Sequence, residues 1–494
     1  MTVLFILLVV IALAVILMAS GKKQNKKRDH LRGQQLATGD QVSELIQRQK
    51  LPTRLEIGGV PIPISVEDRG FLLAGSQGTG KSQAVTRILD GLRAAGHRVI
   101  VSDPSGIFYS RYAQPGDSLL NPFDRRSVKW SPLSEIREIE DCAALAKSVI
   151  PDGVGAESSW NDAAQAVLEG ILRYCWQNKL TNSDLFNLAC ISSADELQQL
   201  LAGTPAMTVV GNARYFGEVR PGLGRHLRAF EYLDPDAGVG DFSIRSFIEN
   251  GGGSLFIVYK QTQRDALRPN IQCALDVASR AVLDLPPAAA DRSQQRRTWF
   301  VLDELPLLGR ISSLVTLLTN GSKHGSAVIA GIQSVAQLRE VYGHDQAQTI
   351  LATLGTWLTL RVPDAETSEY MSKALGDAEI RRVVQSGGES HGKRGGGKNQ
   401  ANNWQEQYSM QRVVMAAELQ NLPDLCGYLN IAGPLPACPV RLPFAARRAP
   451  AAEPFVQAER KPRQPAQPAA QAAADEAEAS DLDPDEIPEF SLDK

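Results

Sequence analysis

The sequence predicts an α/β protein built on a mainly parallel sheet, with an inserted all-α domain and one amino-terminal membrane-spanning helix. Three observations carry that prediction. Residues 70–103 read as strand, glycine-rich turn, helix and strand; residues 137–240 show helical spacing without convincing strands; Thr2–Ala19 is an uninterrupted apolar run. The chain has 494 residues, 43% of them hydrophobic, with 52 Lys+Arg against 55 Asp+Glu and a formal net charge of −3. That composition excludes a collagenous, wholly disordered or multi-spanning membrane protein. It also excludes nucleic-acid binding through overall basicity, although nine acids fall within residues 471–494 and leave the remainder net positive. The six cysteines form no CxxC pair, and the six histidines show no paired-ligand spacing; the thiols read as small hydrophobes.

As a helix, Thr2–Ala19 extends roughly 27 Å, close to the bilayer's hydrocarbon thickness. Its positive charge follows the apolar run, at Lys22, Lys23, Lys26, Lys27, Arg28 and Arg32. A secretory signal carries its charge in front, so the run reads as a retained anchor with the bulk of the chain in the cytoplasm.

The order of segments is then anchor (1–20), basic juxtamembrane stalk (21–54), first part of a nucleotide-binding domain (55–136), all-α domain (137–240), second part of the nucleotide-binding domain (241–444) and a Pro/Ala-rich tail (445–494) with an acidic end. Strands are expected at 70–74, 98–103, 253–259, 298–303, 326–331 and 356–362, separated by helices that cover a parallel sheet. Glycine clusters make 386–403 a loop. The composition of the tail predicts disorder from Ala445 onward.

The chemistry concentrates in Gly75-Ser76-Gln77-Gly78-Thr79-Gly80-Lys81-Ser82, which fits GxxxxGK[ST] between a buried strand and a helix. The glycines let backbone N–H groups turn in around phosphates, Lys81 adds point charge, the Ser82 hydroxyl ligates Mg2+, and Gln83 continues the helix start beside the ligand. ATP with Mg2+ is the expected cofactor. Such a loop needs an acid at a neighbouring strand tip, and Trp299-Phe300-Val301-Leu302-Asp303-Glu304 supplies two. Asp303 is the candidate Mg2+ acid and Glu304 the candidate base for water. A further strand ends in Ile332-Gln333-Ser334, where Gln333 is a candidate to sense the terminal phosphate or to position water.

This ordered set resembles the type IV secretion coupling proteins, the TraD/TrwB-like conjugation ATPases of the wider RecA-like, FtsK–HerA class. The resemblance covers roughly residues 55–440. It rests on the loop above, on Val101–Gly106, on Leu120–Asp124 with Trp130-Ser131, on Phe300–Leu308, on Gly331–Ser334 with Gln337-Leu338, and on Leu422–Leu429. It implies a RecA-like domain carrying an all-α domain, anchored in the bacterial inner membrane. It further implies a homo-hexameric ring ATPase that binds DNA without sequence preference and brings a relaxase–DNA substrate to the secretion channel. Carried over by position, Lys81 and Ser82 bind nucleotide and Mg2+, Asp303 and Glu304 are the acids, and Gln333 is the sensor. Arg225, Arg228, Lys260 and Arg264 are the candidates for a phosphate-directed DNA surface.

Two departures stand out. The family has two spans, and here only Thr2–Ala19 qualifies. The family's trans-acting arginine lies in a Gly-Arg-Lys turn, whereas this chain reads Gly321-Ser322-Lys323-His324-Gly325. The alternative readings are a nucleotide-gated docking platform for protein substrates with little turnover, and a chromosomal or phage DNA pump.

Overall fold

The computed structural model describes residues 29–153, 158–288, 296–390, 399–446 and 449–459. The anchor at Thr2–Ala19, its basic flank up to Arg28 and the acidic end of the tail lie outside these residues. No helix among the described residues is long and apolar enough to cross a membrane.

The strands in chain order are β1 (Asp29–Gly33), β2 (Thr53–Ile57), β3 (Val60–Pro63), β4 (Phe71–Ala74), β5 (Arg98–Asp103), β6 (Ser118–Leu120), β7 (Leu255–Val258), β8 (Thr298–Leu302), β9 (Ser326–Ile332), β10 (Thr356–Thr359), β11 (Asp377–Ser390), β12 (Asn399–Arg412), β13 (Cys426–Asn430) and β14 (Cys438–Arg441). Nine of them form one sheet in the order β14-β13-β10-β4-β9-β8-β5-β7-β6. Every neighbouring pair from β10 to β6 is parallel, and β13 and β14 extend the β10 edge antiparallel.

Alternation in the central strands builds two cores. Leu72, Ile100, Phe300, Leu302, Val328 and Ala330 face one side. Phe71, Leu73, Val99, Val101, Trp299, Val301 and Ile329 face the other. With both faces covered, these strands read as continuous apolar runs. The second face carries the helix Lys81–Ala94 through Ala84, Val85, Ile88, Leu89 and Leu92. The first face continues without a break into the core of the helical insertion, through residues such as Val167, Leu168, Ile171 and Leu223. That insertion runs from Ile139 to Asn250, ten residues beyond the boundary expected from sequence, because the helix Ile244–Asn250 buries Ile244, Phe247 and Ile248 in the same core.

Three further expectations are corrected. The juxtamembrane segment is no stalk from Asp29 onward. β1 pairs with β11, and the helix Gly39–Arg48 buries Val42 and Ile46 one turn apart, worth about 2 kcal/mol each. Residues 386–390 and 399–403 belong to a long antiparallel hairpin, β11 with β12, whose register runs unbroken from Asp377↔Arg412 to Ser390↔Asn399. Within the tail, residues 449–459 lie as a strap over the segments that follow β5 and β6. Ser110 Oγ donates to Ala452 O at 2.6 Å, and Val456 N donates to Asp124 Oδ2 at 2.9 Å. Phe455 is packed against the second core, so one aromatic anchor and paired backbone groups offset the ordering entropy of a Pro/Ala-rich stretch.

At the opposite end of the sheet, His97 is 2% exposed and its Nδ1 accepts from Arg297 N at 3.0 Å. Burial, reinforced by Arg54, Arg297 and Arg296, lowers its pKa from 6.5 to about 3. The unfolded chain therefore takes up this proton first, and the contribution of His97 to stability is lost as pH falls from 6.5 towards 3. Replacing it by His97→Asn, which keeps an acceptor for Arg297, should flatten the acid limb of the stability–pH curve measured by urea unfolding.

Candidate nucleotide site

β4 delivers the chain to Gly75 in the middle of the sheet, and the loop that follows is held from three sides. Gly75 N donates to Ile332 O at the end of β9 at 3.1 Å, and Ser76 N donates to Arg361 O beyond β10 at 2.9 Å. From outside, Leu425 N donates to Thr79 O at 2.9 Å. Gly80 has φ +118°, and a Cβ there would lie 2.8 Å from the Leu425 side chain, so only glycine fits. Leu425 itself sits at φ 62°, a left-handed conformation that costs a branched residue about 1–3 kcal/mol and persists only where surroundings impose it. Arg361, which pairs with Asp424 at 2.6 Å, and Leu425 are thus loop-positioning residues. Reading the motif alone gave them no role, although Leu425 falls within a stretch that carries the family resemblance.

The predicted side chains converge. Lys81 Nζ donates to Gly75 O at 2.6 Å and stands 3.6 Å from Glu304 Oε2. Ser82 Oγ donates to Asp303 Oδ2 at 2.9 Å, and Gln333 Nε2 donates to Glu304 Oε2 at 2.9 Å. β4, β9 and β8 are adjacent parallel strands, so their carboxyl ends bring residues 221 positions apart into one cluster.

Burial raises the pKa of Asp303, against the opposing effects of Ser82 and Lys81. Burial likewise raises that of Glu304, opposed by Lys81 and Gln333. Both carboxylates are therefore more basic than in water. Asp303 Oδ1 and Glu304 Oε1 are buried without a hydrogen-bond partner among the described residues, an arrangement that suits a hard cation and a polarised water. The donor set Ser82 Oγ and Asp303 carboxylate fits Mg2+, and the loop amides with Lys81 fit a polyphosphate.

Gly331 sets the position of the acids. In the β8–β9 register Leu302 pairs with Ala330, and a Cβ on Gly331 would lie 1.8 Å from Asp303 O. Asp103, at the tip of β5, is not a further site acid. Its carboxylate accepts from Tyr109 N at 2.8 Å and from Ser105 N at 3.3 Å, capping the helix Ile107–Tyr112, while burial pushes its pKa up to about 6.

The other candidates lie apart. Gly321–His324 forms a turn at the amino-terminal end of β9, roughly 23 Å along that strand from the loop, so Lys323 does not reach the site of its own chain. Arg225 and Arg228 are exposed on the helical insertion. Lys260 sits 5.3 Å over the ring of Phe455, and Arg264 pairs with Asp265 at 3.2 Å. Two large clefts, about 670 Å³ around Arg137 and Arg245 and about 620 Å³ around Trp130 and Glu231, are not lined by the loop. In the first, several of the acids are already paired with arginine, Arg245–Asp141 at 3.0 Å, Arg245–Asp284 at 2.8 Å and Arg137–Glu249 at 2.7 Å.

Substituting Gly331→Ala should therefore displace Asp303 and Glu304 while leaving the loop intact. The expected outcome is wild-type affinity for tripolyphosphate in calorimetry, with Mg2+-dependent nucleotide hydrolysis reduced by about 100-fold.

The family described as the type IV secretion-system coupling protein DNA-binding domain matches residues 54–443. Coupling protein TraD of Escherichia coli (strain K12) is 27% identical over 492 residues, covering 94% of this chain and 66% of TraD. A conjugal transfer protein TraG of Escherichia coli is 27% identical over 294 residues, covering 51% of this chain and 46% of TraG. The chain thus spans less than two thirds of the length of these curated relatives. Among solved structures, the conjugative coupling protein TrwBdeltaN70 in its unbound form is similar with a TM-score of 0.76 and 32% identity, covering 87% of this chain and 97% of that one. TrwB is also known in complex with ADPNP, with ADP and Mg2+, and with GDPNP, at 31% identity and the same TM-score of 0.76. The loop, the paired acids, the helical insertion and a match running through both parts of the sheet together place this chain in the type IV secretion coupling protein family.

Proposed function

We propose that this chain is the DNA-binding ATPase of a conjugative transfer system, anchored in the bacterial inner membrane through Thr2–Ala19. The observation that carries the reading is the convergence of Lys81, Ser82, Asp303, Glu304 and Gln333 at the carboxyl ends of the central strands β4, β9 and β8. The related TrwB binds ATP and GTP analogues and ADP with Mg2+, and we infer the same cofactors here. DNA binding and a coupling role in conjugal transfer are supported by the family description and the names of its members; assembly into a hexameric ring, translocation of DNA and delivery of a relaxase–DNA substrate to the channel complete the proposal.

The residues divide the work by position. Loop amides and Lys81 hold the β- and γ-phosphates and neutralise charge that builds on them. Ser82 and Asp303 would hold Mg2+, which would screen charge on the phosphate oxygens. Glu304, more basic than a surface carboxylate and oriented by Gln333, takes the proton of the attacking water. The turn at Ser322–Lys323 faces away from the site of its own chain, so in a ring it is available only to a neighbour. There lysine supplies point charge without the two-pronged grip of arginine. That substitution favours slow turnover and keeps the docking-platform reading as the alternative.

In the full-length protein, Lys81→Thr should abolish ATP hydrolysis, and Glu304→Gln should keep nucleotide binding while lowering turnover about 10²- to 10⁴-fold. DNA of any sequence should stimulate the wild-type rate, with stimulation falling as salt rises. An assembled protein that hydrolyses ATP but shows neither DNA stimulation nor salt-dependent DNA binding would refute translocation and leave the docking platform.

A further inference from the structure

The most exposed large hydrophobic side chain among the described residues is Phe444, 76% accessible. It makes no ring–ring or cation–ring contact among them. Yet its backbone is fixed on both sides, each time to a residue that adjoins the phosphate loop, Leu425 and Gln83. Two residues earlier, Leu442 N donates to Leu425 O at 2.7 Å, and the Leu442 side chain lies 3.4 Å from where a Cβ on Gly80 would stand. One residue later, Ala445 N donates to Gln83 Oε1 at 2.9 Å. Pro443 stiffens the step between them. A ring whose flanking backbone is held, and which the described residues leave largely uncovered, is a preformed contact surface, and ordering it on binding costs little.

The direction of a bound nucleotide follows from the site. Its terminal phosphate points at Lys81, Asp303 and Glu304, so the nucleoside leaves from the other end of the phosphate chain, past the first turn of the helix Lys81–Ala94. Ser82 is turned to Asp303. Gln83 lies about 100° further round the helix, and that is the side on which it holds Ala445.

We propose that Phe444 is the platform on which the base of the bound nucleoside triphosphate stacks. The inference rests on the nucleotide-binding reading above and names the part of the ligand that the loop motif does not address. Stacking reads the face of the base and not its hydrogen-bonding edge, so the platform takes adenine and guanine alike.

The test uses the full-length protein and three probes: ATP, GTP and inorganic tripolyphosphate. Phe444→Ala should weaken ATP and GTP by about tenfold each, a modest stacking contribution, and leave tripolyphosphate affinity as in the wild type. Phe444→Trp should retain ATP affinity and show a fluorescence change with ATP, absent from the wild type and absent with tripolyphosphate. Unchanged ATP affinity in Phe444→Ala overturns the inference. So does equal weakening of ATP and tripolyphosphate, which would report a distorted loop, or an effect confined to oligomeric state, which would assign the ring to a subunit contact. If Lys81→Thr removes ATP and tripolyphosphate binding while Phe444→Ala is silent, only the platform fails. A wild-type protein that binds neither ligand overturns the nucleotide-binding reading and the platform with it.

Discussion

An ammonium group 3.6 Å from a half-buried carboxylate, with a second carboxylate beside it, is a costly arrangement that the rest of the fold exists to hold. Like charges at Asp303 and Glu304 repel, and burial penalises both when ionised. The sheet imposes their proximity because each acid sits at the tip of a strand buried on both faces, where the backbone has no freedom to relax. The nine-stranded sheet fixes where the charges stand, and their burial there is what makes both carboxylates more basic than in water.

The loop facing those acids is fixed by its neighbours as much as by its own glycines. Arg361 and Leu425 approach from the β10–β13 side, and β9 approaches from the other. Leu425 carries backbone strain to do so. Gly331 performs the same service for the acids by having no side chain at all. Residues without chemistry of their own thus decide the placement of those that have it.

Much of this was legible in the sequence. The loop, the strand ending in Asp303-Glu304 and the strand ending before Gln333 were each readable, because a parallel sheet writes its strands as apolar runs and puts its polar residues at their ends. Most of what escaped is long-range pairing. β1 finds β11 across more than three hundred residues, and nothing local in Asp29–Gly33 announces a strand. The β11–β12 hairpin was hidden because its glycines and polar residues mimic a loop, its order coming from the backbone ladder. The strap resembles a disordered tail in composition and is ordered by a few anchors, Phe455 foremost. Gly331 and Leu425 had signals too faint to weigh alone: one glycine inside an apolar strand, and one ordinary leucine whose φ only coordinates reveal.

The strap and the residues before it tie part of the tail to the candidate nucleotide site. From Ala445 at the loop helix the tail crosses Ser110 and reaches Asp124 and Phe123 before the chain continues past Glu459. Its attachments follow one another along the chain, to Gln83, then Ser110, then Asp124 and Phe123. The first of these belongs to Gln83, next to Ser82. A shift of Ala445 therefore bears directly on the first turn of the phosphate-binding helix.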